Sequence, residues 1–99
     1  MAFDLPLSKQ LAKAGWKVKI RDKERLEQPH ATIIRGTDSW RLGLRTGEFM
    51  DEGRWKDFPD DLRTTIEENW RQLCREWDAL YPHNPVPSEE EANNGDKNE

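Results

Sequence analysis

The chain predicts a two-layer α+β domain in the order helix, strand, strand, strand, helix, with a small antiparallel sheet packed on a long C-terminal helix. Three observations predict it. From Pro59 to Tyr81 the large apolar residues Leu62, Ile66, Trp70, Leu73, Trp77 and Leu80 follow at steps of four, four, three, four and three. That is helical spacing, and it puts one broad apolar stripe on a helix of about six turns. Between Trp16 and Arg45 two of three short stretches, Trp16 to Arg21 and Ser39 to Arg45, alternate apolar and polar residues, the period of half-buried strands. Finally, only 33% of the chain is hydrophobic, yet it holds five tryptophans, and a few large rings bury as much area as many aliphatics.

The elements follow in order. Asp4 is placed to cap a first helix, with Pro6 tolerated in its first turn, Leu7, Leu11 and Ala14 on its apolar face, and Gly15 as its stop. Trp16 to Arg21 alternates Trp16, Val18 and Ile20 with Lys17, Lys19 and Arg21 and reads as the first strand. A polar loop, Asp22 to Pro29, leads to a second strand, His30 to Arg35, and Gly36, Thr37 and Asp38 turn the chain into a third, Ser39 to Arg45. Two registers are open. A loop of four residues, Arg35 to Asp38, pairs Ile33 with Trp40 and Ala31 with Leu42, so that His30, Thr32 and Ile34 face outward with the arginines. A loop of three pairs Ile34 with Trp40 and turns His30 inward, because one slipped residue flips the whole face. The first is preferred.

Glu48 to Met50 is a candidate edge strand, and Trp55 and Phe58 are placed to tuck under the long helix. Asp57, Asp60 and Asp61 suit the positive end of that helix. Packing Trp70 and Trp77 over Trp16, Trp40 and Leu42 builds most of the expected core. Pro82 ends the helix, so residues 1–82 form one domain. His83 to Glu99, with its prolines and its acidic, Asn-rich end, is expected to be a disordered tail.

The net charge of −4 hides a partition. Residues 1–45 carry ten basic and five acidic side chains, residues 46–87 the reverse, and 88–99 one lysine against five acids. A basic front half is able to meet a polyanion although the whole chain is acidic. The single Cys74 excludes an internal disulfide and sits on the helix stripe, where a buried, inert thiol is expected. No apolar run approaches the ~18 residues of a membrane span, and the first ten residues lack the pattern of a signal peptide. A cytoplasmic protein with no membrane contact is the expectation. There is no His or Cys cluster with metal-ligand spacing and no phosphate-cradling glycine loop, so neither a metal nor another cofactor is expected.

Chemistry concentrates at one residue. His30, beside Thr32, Arg41 and Arg45, has the side chain for proton transfer near neutral pH, and arginines nearby suit a phosphodiester and its developing charge. The bland alternative is a strand-end histidine bonded locally. Lys17, Lys19, Arg21, Arg41 and Arg45 form a candidate cationic sheet face for RNA phosphates, or else an ordinary solvated face.

Helix, Gly15-Trp16, strand, loop, His30 on the next strand, another strand and a final helix resembles the HicA-type toxins of bacterial toxin–antitoxin pairs. That resemblance implies a double-stranded-RNA-binding-like fold, metal-independent RNA cleavage by His30 and a cognate antitoxin as partner. Gln28-Pro29 stands where that family has Gly-Ser, and the C-terminal helix here is longer and richer in tryptophan. Pro29-His30-Ala31-Thr32-Ile33, then Gly36, then Trp77 is also similar to a group of short bacterial proteins with a Pro-His-Val-His-Val strand, which implies a toxin–antitoxin-like gene pair. The alternative function, from a different class, is a non-catalytic module that docks a partner protein through its sheet or its acidic helix face.

Overall fold

Four antiparallel strands in sequence order form the sheet of this α+β chain, and helices together with connecting segments supply the rest of its core. The computed structural model describes residues 2–21 and 27–86. Most of the expected loop, at 22–26, and most of the expected tail, at 87–99, lie outside the described residues.

The first element differs from expectation. Phe3–Asp4 is a strand, β1, paired with Ile20 and Lys19, and Leu5 N–H extends the pairing to the Val18 carbonyl at 2.9 Å. Phe3, Asp4 and Leu5 run half-buried, exposed, buried, so a period of two outweighs the capping capacity of Asp4. Pro6 has no N–H to continue the ladder. The helix, α1 (Lys9–Lys13), is capped instead by Ser8, whose Oγ accepts from Leu11 N–H at 3.2 Å. Gly15, at φ +93°, ends it as predicted and turns the chain into the next strand.

Strands β2 (Trp16–Ile20), β3 (His30–Arg35) and β4 (Asp38–Gly43) follow. The preferred register holds: Ile33 pairs with Trp40, Ala31 with Leu42, and Arg35 with Asp38 around Gly36 and Thr37. β4 stops at Gly43 rather than Arg45. The candidate edge strand at Glu48–Met50 is reduced to one bridge, Phe49 to Leu42, flanked by Gly43 N–H to Glu48 O and Met50 N–H to Arg41 O.

A single 3₁₀ turn, Trp55–Asp57, precedes the C-terminal helical region. The predicted long helix is two helices, α2 (Asp60–Glu68) and α3 (Trp70–Leu80), joined at Asn69. The Asn69 amide side chain donates to Thr65 O at 2.8 Å, and its backbone N–H is shared between Thr65 O and Ile66 O at 3.2 Å each. A side chain that bonds locally to backbone competes with the helical ladder. The apolar period runs on through the break: Leu62, Ile66, Leu73 and Trp77 are all fully buried against Ile20, Ala31, Ile33 and Leu42.

Within the one hydrophobic core, the aromatic rings contact one another in two groups. Phe58 gathers Trp16, Trp40 and Phe49 at ring centroid distances of 5.5, 5.1 and 5.2 Å, with Trp55 against Phe49 at 5.1 Å. Trp77 packs elsewhere, on Tyr81 at 4.1 Å and His30 at 5.4 Å. Trp70 is only half-buried.

Cys74 is half-buried as well, and burial, helped by the neighbouring Asp78 charge, pushes its thiol up to about 11. A rise of that size from the ordinary 9.0 lowers the thiolate fraction near neutral pH by about 100-fold. Alkylation of the folded protein at pH 8 is expected to be slow and to accelerate sharply in denaturant. Equal rates in the two states would remove the claim of a shielded thiol.

Candidate functional site

His30 has the predicted register position but not the predicted exposure. It pairs with Gly43, on the face opposite Ile33 and Trp40 in the strand alternation, yet its side chain is 0% exposed. The chain itself closes over it. Trp77 lies against the ring, and the Tyr81 hydroxyl donates to the Arg21 carbonyl, so the end of α3 wraps the Arg21 and His30 end of the sheet. Nδ1 donates to Gln28 O at 2.7 Å, a contact in which the carbonyl is able only to accept, and Nε2 stands 3.9 Å from a Glu27 carboxylate oxygen. Thr32, also expected to face outward, is buried, and its Oγ1 has no hydrogen-bond partner among the described residues. The sequence missed this burial because strand parity gives direction only; the residues that cover His30 lie about fifty positions downstream.

The five candidate phosphate contacts do not form one free face. Arg41 donates from Nε and Nη2 to Asp51 at 2.8 and 2.6 Å and from Nη1 to Glu27 at 2.7 Å. These hydrogen bonds hold the Asp51 carboxyl below the usual carboxylate range and the guanidinium above its ordinary value. Arg45 donates to the carbonyls of Val86 and Pro85 at 3.2 and 2.8 Å and to Asn84 Oδ1 at 3.3 Å. Lys19 pairs with Asp4 at 3.4 Å. Lys17 and Arg21 are exposed and make no ion pair among the described residues.

The exposed cations regroup along the N-terminal edge. Residues 2–21 contain Lys9, Lys13, Lys17, Lys19 and Arg21 against one carboxylate, Asp4. Lys9 and Lys13 are exposed on α1 and are four residues apart, hence on one helix face. Their spacing was legible in the sequence; what was missing was that the helix bearing them borders β2. Between these elements lies a cleft of about 270 Å³ whose apolar lining includes Leu5, Leu7, Ala12 and Val18 and whose charged lining is Asp4, Lys17 and Lys19.

Among the described residues no three His, Cys, Asp or Glu side chains stand close enough to hold a metal ion, and no helix is long and apolar enough to cross a membrane. Fold and cleft together define a small α+β chain with a mixed apolar and cationic edge. No protein-family model matches it, and neither a curated protein nor a solved structure matches it.

Proposed function

We propose that this chain is a non-catalytic binding module that engages an acidic partner protein through the edge formed by α1 and β2. The observation that carries the reading is the redistribution of charge: Arg41 and Arg45 are occupied within the chain, whereas Lys9, Lys13, Lys17 and Arg21 are exposed on or between consecutive elements. A cleft with an apolar lining beside them matches the composition of protein interfaces, where apolar anchors sit within a polar rim. Phosphate contacts have no use for such a cleft. The cognate protein of a toxin–antitoxin-like pair, implied by both resemblances, is a partner of this kind.

RNA is the second reading, favoured by the exposure of Lys17 and Arg21. Cleavage by His30 is not part of it, because a side chain with no exposed surface does not reach a phosphodiester in this conformation. The double-stranded-RNA-binding-like arrangement implied by the resemblance also has no counterpart for β1 or for the break at Asn69.

Affinity capture from the extract of the source cells, with and without nuclease, tests the proposal. The expected result is a captured protein that survives nuclease, is released by salt, and is lost when Lys13, Lys17 and Arg21 are changed to glutamate but kept when Arg71 and Arg75 are. Capture that disappears with nuclease, or that is indifferent to the first set of changes, overturns it.

A further inference from the structure

Resting on that reading, we infer that the cleft between α1 and β2 is a side-chain socket, and that the segment it takes is an extended acidic peptide carrying one apolar anchor. The cleft, at about 270 Å³, has room for a leucine- to phenylalanine-sized group. Leu7 and Ala12, the two of its apolar lining residues that are not buried, offer that group hydrocarbon contacts, while Leu5 and Val18 lie buried beneath them.

Two further features select a peptide as the occupant. Leu5 N–H donates to Val18 O, so the backbone polar groups of Val18 point toward β1. By strand alternation those of Trp16 point the same way. β1 ends before reaching Trp16, whose backbone meets no further backbone partner on that edge among the described residues. Trp16 also lines the cleft. A peptide group seated there finds a donor and an acceptor beside the apolar wall, which is the recognition that sheet edges give to extended segments. The charge sets the remaining preference. Lys17 and Lys19 line the cleft, Lys9 and Lys13 stand exposed on the helix that borders it, and Asp4, the one acid in the lining, is already paired with Lys19. Carboxylates on either side of the anchor complement this surface.

The probe is a synthetic peptide, acetyl-Glu-Glu-Leu-Glu-Glu-amide, titrated into the full-length ¹⁵N-labelled protein at low salt beside the same peptide with alanine at the centre. The leucine peptide is expected to shift the amides of Leu5, Leu7, Ala12 and Trp16 to Lys19, and to bind about tenfold more tightly than the alanine peptide, the effect of burying most of a leucine side chain. Ala12→Phe fills the cleft from an exposed helix position, where a large side chain leaves the fold intact as judged by its melt, and is expected to abolish the difference between the peptides. If leucine and alanine peptides bind equally, the socket is wrong while the cationic edge stands. If neither shifts these amides, the socket is wrong irrespective of what the capture experiment finds. Binding that Ala12→Phe leaves unchanged overturns it too.

Discussion

Trp77→Ala is expected to lower the stability of this protein by about 3–5 kcal/mol, the cost of emptying a buried tryptophan site. The domain has little to spare, since a chain of this size is stable by only ~5–15 kcal/mol. Trp77 is 0% exposed and joins three parts of the chain. Its ring lies between Tyr81 and His30, and its indole N–H donates to Asn84 O at 2.7 Å. Trp70, which shares the helical stripe in sequence, is half-buried and stands at the break after Asn69. Trp70→Ala is therefore the milder change, at about 1–2 kcal/mol from partial loss of apolar burial. Urea unfolding of both variants decides the order. A Trp77→Ala midpoint no lower than that of Trp70→Ala would mean that the ring does not join the sheet end to α3 as described.

The contrast between these two tryptophans shows what the sequence was able to tell. Periodicity found the stripe, the strands and even the hairpin register, because each depends on neighbours within a few residues: Ile33 opposite Trp40 follows from the short turn at Gly36 and Thr37. Periodicity could not rank Trp70 against Trp77, since a stripe says which face is apolar but not how far the partner surface extends. The same gap explains His30. Its strand parity was right, but Trp77, far downstream in the chain, comes to lie against its ring. Charge behaved likewise. Arg41 sits in the strand pattern of a basic face, and only tertiary structure brings Asp51 and Glu27 to it. At the N-terminus the local signals conflicted. Asp4 has a good capping side chain, yet the alternation through Phe3 and Leu5 wins because it completes a strand pair with β2.

Cutting the chain after Pro82, where the sequence places the domain boundary, is expected to destabilise it by about 1–3 kcal/mol relative to a chain that ends after Val86, the order of a few net hydrogen bonds. The segment from Asn84 to Val86 is docked on the fold. Asn84 accepts from the Trp77 indole and donates from Nδ2 to Glu27 O at 2.7 Å, Val86 N–H reaches Asp78 Oδ1 at 2.8 Å, and Arg45 grips the carbonyls of Pro85 and Val86. Removing these residues frees their backbone entropy, about 1–2 kcal/mol each, which offsets much of the loss from the exposed hydrogen bonds. The indole N–H loses its Asn84 acceptor in the same cut. A double-mutant cycle isolates this term. In a Trp77→Phe background, which has no indole N–H, the same truncation is expected to cost less by about 1 kcal/mol or more. Equal truncation costs in the two backgrounds would show that Asn84 is not the group holding Trp77, and that α3 is fixed against the sheet by its own packing alone.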